Sequence, residues 1–257
     1  MEKKHLGNTL KRWKNYYLNL KLFFYLFTLK FKVLLIIYIM NKILTIYFFN
    51  KKQNSSLVLL AMLSLTLMLL RVKITHDIYL LFLIWNLFLG YIPYFLSSEV
   101  KNTIPCTYKF YLLCIGWLLF LPNSFYLLTD FKHLHHNNDL QFVFDALLLT
   151  CFSIAGFYSG ISSLLHIHQL LEMKYSERKS HRMIAVICFL SSFGVYLGRI
   201  LRFNSWDILS HPIDLFTSII NSLLNPETYR FTFLFGSFII IVYSISYLLS
   251  NEKNIKS

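Results

Sequence analysis

Residues 142–167 read FVFDALLLTCFSIAGFYSGISSLLHI, and among these 26 positions Asp145 alone carries a full charge when histidine is neutral. About 20 consecutive apolar residues suffice for a helix to cross the hydrocarbon core of a bilayer, so this run is long enough to span it. Five more segments meet or approach the same length: Ser56–Val72, Ile78–Leu96, Phe110–Leu128, Met183–Leu201 and Phe231–Leu249. The reading is therefore an all-α, polytopic transmembrane helical bundle of six spans. Ser56–Val72 is the shortest, and Arg71 at its end is expected to snorkel toward the headgroups.

The composition agrees. Of 257 residues, 56% are hydrophobic, 18% aromatic and only 14% charged, and the mean hydropathy is +0.53, outside the balance of soluble domains. A net charge of +13 raises the question of nucleic acid, but the basic residues flank apolar runs instead of clustering in a soluble module. The expected partner is the lipid bilayer, with no nucleic acid. Three of the four cysteines, Cys114, Cys151 and Cys188, lie inside apolar runs and Cys106 lies in a short connection, so neither a disulfide framework nor a CxxC motif is present.

The chain divides into a basic N-terminal segment (1–55), the bundle (56–250) and a polar tail (251–257). Within the first segment, residues 33–49 form a seventh candidate span. Asn41 and Lys42 sit at its centre, where a lysine costs about 2.5–3.5 kcal/mol, so an interfacial helix on anionic headgroups is favoured over an extra span. No small-residue cleavage site follows, and no cleaved signal peptide is read.

With six spans, Lys51, Lys52, Lys101, Lys109, Lys174, Arg178, Lys179, Arg182, Lys253 and Lys256 fall on one side, with the basic N-terminus in addition. Arg71, Lys73, Lys132, Arg199, Arg202 and Arg230 fall on the other, which places both termini in the cytoplasm. All six aspartates, Asp77, Asp130, Asp139, Asp145, Asp207 and Asp214, fall on the less basic face, with His76, His133, His135, His136 and His211. Carboxylates and guanidinium groups at helix ends on one face are the material of a polar pocket.

Two constellations carry that pocket. The third span ends LPNSFYLLTD, residues 121–130, where Asn123, Tyr126 and Asp130 at helical spacing share one stripe beside the kink expected at Pro122. The fifth ends LGRILRFNSWD, residues 197–207, where Arg199 and Arg202, three apart, share a face, with Asn204 and Asp207 beyond. Paired guanidinium groups suit a carboxylate or phosphate; equally, they can pair with Asp130 and Asp145. Asp145, one turn into the fourth span, must face inward, as a functional acid or as the ion-pair partner of Arg199 or Arg202. Asp130, His133, His135 and His136 are a candidate metal set by side-chain type alone, since no HExxH pattern accompanies them. Ile213, Phe216, Ile219, Ile220, Leu223 and Leu224 predict an amphipathic interfacial helix that either roofs the cluster or seals the bundle.

Trp85–Leu89, Leu121–Asp130, Asp145 and Leu197–Asp207 resemble the bacterial membrane family catalogued as domain-of-unknown-function family 1361, over roughly Leu57 to Leu249. The resemblance implies a bacterial multi-span membrane protein and carries no activity or catalytic role; the location expected for the bundle is a bacterial cytoplasmic membrane. Three functions stay open: binding or moving an anionic lipid-like or small-molecule ligand, an enzyme acting on a lipid or polyprenyl phosphate, or an accessory subunit.

Overall fold

The computed structural model describes residues 51–134, 139–203, 210 and 212–255. The candidate seventh span at 33–49, and with it His135, His136, Asn204, Asp207 and His211, lies outside them. Every described element is helical. In chain order these are α1 (Lys51–Thr75), a 3-10 turn (Tyr79–Leu81), α2 (Phe82–Lys101), α3 (Tyr108–Tyr126), a 3-10 segment (Leu127–His133), α4 (Asp139–Glu172), α5 (Glu177–Arg199), α6 (Pro212–Leu223) and α7 (Pro226–Ile255). Six are long and apolar enough to cross a membrane, and α6 is the short amphipathic helix between the fifth and sixth.

Local chemistry sets several ends. Thr107 caps α3, its Oγ1 accepting the Phe110 amide at 3.2 Å, and Asn225 accepts the Glu227 amide through Oδ1 at 3.0 Å ahead of Pro226, which opens α7. With 34 residues, α4 extends about 50 Å at 1.5 Å per residue, longer than the hydrocarbon core is thick. Its polar ends, Asp139 and Glu172, therefore reach the interfaces.

Small residues bring the helices together, since in lipid association rests on close packing and interhelical hydrogen bonds. On α4, Ser153, Gly156, Ser159, Gly160 and Ser163 form a stripe facing α2 and α3. The Gly90 carbonyl on α2 accepts both Ser124 Oγ (2.6 Å) and Ser159 Oγ (3.0 Å), so three helices meet at one oxygen. A Cβ on Gly160 would lie 2.8 Å from Ser124 Cβ, and one on Gly194 of α5 would lie 2.4 Å from Pro122 Cγ. Helix α2 is the most enclosed span, whereas α1 and α7 turn most of their surface outward, to lipid.

Candidate functional site

Carboxylates and guanidinium groups do converge at one end of the bundle, but not in the pairs expected. Arg71 is only 2% exposed and does not snorkel. Its Nε donates to Asp145 Oδ1 at 2.8 Å and its Nη2 to Oδ2 at 3.3 Å, while Nη1 and Nη2 hold the Asp77 carbonyl (2.9 Å) and carboxylate (3.2 Å). The reason is the length of α1, which continues to Thr75 and so places Arg71 a turn inside the helix, opposite Asp145. A two-pronged match to a carboxylate then satisfies both charges. Asp145 thus pairs with Arg71 and not with Arg199 or Arg202. At Asp77, the Tyr79 amide donating to Oδ1 at 2.9 Å, together with the Arg71 guanidinium, holds the carboxyl below the usual carboxylate range.

The second assembly joins α2, α3 and α5. Here α3 gives way after Tyr126 to the 3-10 segment, so Asn123, Tyr126 and Asp130 do not share one α-helical stripe; the tighter winding turns Asp130 fully inside. Asp130 Oδ1 accepts Arg199 Nη2 at 3.0 Å and Oδ2 accepts Asn86 Nδ2 at 3.0 Å. Arg199 also donates to the Tyr126 hydroxyl at 3.1 Å and to the Thr129 carbonyl, and its guanidinium lies 4.9 Å from the Tyr126 ring centroid. His133 Nε2 lies 3.4 Å from Arg199 Nη1 and its Nδ1 2.9 Å from the Tyr79 hydroxyl. An arginine nitrogen only donates, so Nε2 accepts and Nδ1 bears the proton. The expected pairing of Arg199 with Asp130 is present.

Arg202 does not join it. Helix α5 stops at Arg199, the chain turns through Arg202 at φ 62°, and the Phe203 amide bonds the Leu197 carbonyl at 3.1 Å. Arg202 is exposed while Arg199 is buried, so the two do not form a paired clamp. For the metal set, both oxygens of Asp130 are engaged by Arg199 and Asn86, and among the described residues no group of three His, Cys, Asp or Glu side chains is placed to hold a metal.

Beside this assembly lies a cavity of about 370 Å³ between α2, α3, α5 and α6. Leu89, Leu118, Leu190, Phe193 and Leu197 make most of its wall, Leu215 and Ile219 of α6 cover one side, and Asn86, Asn123 and Tyr126 supply its polar part. Leu118, Leu119 and Leu190 are exposed on the apolar surface of the bundle, so the cavity opens sideways. Asn123 Nδ2 donates back to the Phe120 carbonyl at 3.1 Å.

A polar node at the opposite end went unread in the sequence. His168, 1% exposed, places Nδ1 2.5 Å from the Tyr243 hydroxyl and Nε2 3.6 Å from Glu172, which accepts the Tyr247 hydroxyl at 2.7 Å. His166 Nδ1 meets Ser97 Oγ at 3.0 Å. The available signal was the pair His166 and His168 closing an apolar run, which reads as the point where a span leaves lipid; α4 instead continues and buries both.

Among the described residues, six apolar helices, buried arginine–aspartate ion pairs near one end and a laterally open cavity define a polytopic α-helical membrane protein. The chain belongs to the family described as protein of unknown function (DUF1361), whose model matches residues 85–242, more than half of its length. That span takes in Asn86, Asp130, Asp145 and Arg199, but not Arg71 or Asp77. No curated protein and no solved structure matches the chain.

Proposed function

We propose that this protein binds a membrane amphiphile in the lateral cavity, with the apolar chain against Leu89, Leu118 and Leu197 and the polar head at Asn86, Asn123 and Tyr126. One observation carries the reading: a cavity within the size range of small-molecule sites joins an apolar wall, open to the hydrocarbon, to a polar wall braced by a buried ion pair. Asp145 leaves the ligand set, because it is committed to Arg71 and does not line the cavity. In the orientation favoured by the basic residues, the protein sits in a bacterial cytoplasmic membrane and the cavity serves the outer leaflet. The exposed Lys174, Arg178, Lys179 and Arg182 at the other end then lie against anionic headgroups.

An enzymatic role draws no comparable support, since Asp130 spends one oxygen on Asn86 and the other on Arg199 and so is poorly placed to shuttle a proton. Native mass spectrometry of the purified protein tests the proposal. The parent is expected to retain an amphiphile that Leu190→Trp, which fills the mouth of the cavity, loses. Equal retention by the parent and this variant would overturn the proposal.

A further inference from the structure

Three hydrogen bonds in series run behind the cavity wall. Asn86 Nδ2 donates to Asp130 Oδ2 at 3.0 Å, Asp130 Oδ1 accepts Arg199 Nη2 at 3.0 Å, and Arg199 Nη1 donates to the Tyr126 hydroxyl at 3.1 Å. Both terminal members line the cavity, and neither ionised member does. The series therefore begins and ends at one surface, with its two opposite charges cancelling out of reach of a ligand.

What the end members still offer follows from valence. A carboxylate only accepts, so Asn86 must turn its amide nitrogen to Asp130, and its Oδ1 remains as an acceptor. The Tyr126 oxygen already accepts from a guanidinium, so its own O–H remains as a donor. Among the described residues no further bond engages either atom. Donation to a carboxylate strengthens the amide carbonyl as an acceptor, and acceptance from a guanidinium strengthens the phenol as a donor, because hydrogen bonds in series polarise one another.

We infer that the ligand of this cavity is an uncharged, hydroxyl-bearing amphiphile, an inference that rests on the cavity being a binding site at all. A hydroxyl group both donates and accepts, so it matches Asn86 Oδ1 and the Tyr126 O–H together. A phosphate or carboxylate brings acceptors alone and would face the Asn86 carbonyl. It would also find Arg199 neutralised by Asp130, with no net positive charge to offset the loss of its own hydration. The anionic ligand expected from the two arginines is disfavoured for that reason, and because Arg202 is exposed and forms no clamp with the buried Arg199.

The test uses the full chain in phosphatidylcholine nanodiscs and two photoreactive probes of equal chain length, a long-chain alcohol with a mid-chain diazirine and its phosphate ester. Labelled peptides are mapped by mass spectrometry. The alcohol is expected to label the segments around Leu118 and Leu190 saturably and more efficiently than the ester. Asn86→Ala and Tyr126→Phe are each expected to lower that labelling roughly fivefold, about the effect of one neutral hydrogen bond, with labelling of the lipid-facing Phe233 unchanged. Stronger labelling by the ester, or variants that label like the parent, would overturn the inference while leaving the cavity as a binding site. Labelling of these segments by neither probe would remove both. The comparison of the two probes on the parent protein needs no variant and decides the matter even if a substitution impairs folding.

Discussion

Asp130 and Arg199 are held inside the bundle because each is the other's principal partner and Asn86, Tyr126 and Thr129 take up most of the valences left over, Arg199 Nε alone of the guanidinium nitrogens having no hydrogen-bond partner among the described residues. Removing one member strands the other. Arg199→Met and Asp130→Leu are each expected to cost about 3–5 kcal/mol, whereas the double variant should cost much less than their sum, because an apolar pair replaces a neutralised one. Reversible unfolding in mixed micelles measures the cycle, and simple additivity would show that the pair contributes as two independent charges. Arg199→Lys should resemble removal, since one ammonium group cannot reach the carboxylate, the hydroxyl and the carbonyl together. Asp77 supplies a pH signature. Its carboxyl ionises below the usual value of 3.8, so its contribution to stability is full above that value and fades as the pH falls through the lowered one. The unfolding midpoints of the parent and Asp77→Asn should therefore differ near neutrality and converge in acid; a gap that widened in acid would contradict the sign. That Asp145 faces inward was legible, because a carboxylate on lipid is too costly. Its partner was not, because the choice of Arg71 over Arg199 depends on how far α1 continues past the apolar run.

Helix contacts depend on where backbones approach most closely, and the glycines separate two cases. At Gly194 an added methyl would lie 2.4 Å from the rigid Pro122 ring, while at Gly198 the nearest atoms are 3.4 Å away, in ordinary contact. Gly194→Ala is expected to force α3 and α5 apart and cost about 1–3 kcal/mol. Gly198→Ala should be neutral or slightly stabilising, since alanine is favoured over glycine within a helix by up to about 1 kcal/mol. Unfolding midpoints compare the two, and equal losses would show that propensity, not the α3 and α5 contact, governs both. The six spans were legible because length and hydropathy alone decide them, and α6 was legible from its apolar spacing between Pro212 and Pro226. The change from α to 3-10 winding after Tyr126 was not legible. It depends on Leu127 wedging against Gly90 and Gly156 of two other helices, a tertiary fit that no local propensity encodes.

Alternation of the six spans puts Asp77, Asp130 and Asp145 at one end of the bundle and the α4 to α5 turn, with its lysines and arginines, at the other. The ion pairs support the first half independently, since Arg71 and Arg199 come from distant helices and reach carboxylates at the same end. Which end faces the cytoplasm was legible only as a count of flanking charges, and the chain carries its own reporter for it. Cys106 is exposed in the connection between α2 and α3, Cys114 and Cys151 are partly covered within spans, and Cys188 is buried. In right-side-out vesicles an impermeant thiol reagent should leave Cys106 unmodified, and in inverted vesicles it should modify it. In a Cys106→Ser background, Asn137→Cys and Ser210→Cys should show the reverse pattern and agree with each other, because both connections belong to the aspartate-bearing end. Reaction of Cys106 from outside would invert the bundle and move the cavity to the inner leaflet, without disturbing the contacts that form it. Disagreement between positions 137 and 210 would be the graver result, since it would break the alternation that brings Asp130 and Arg199 together.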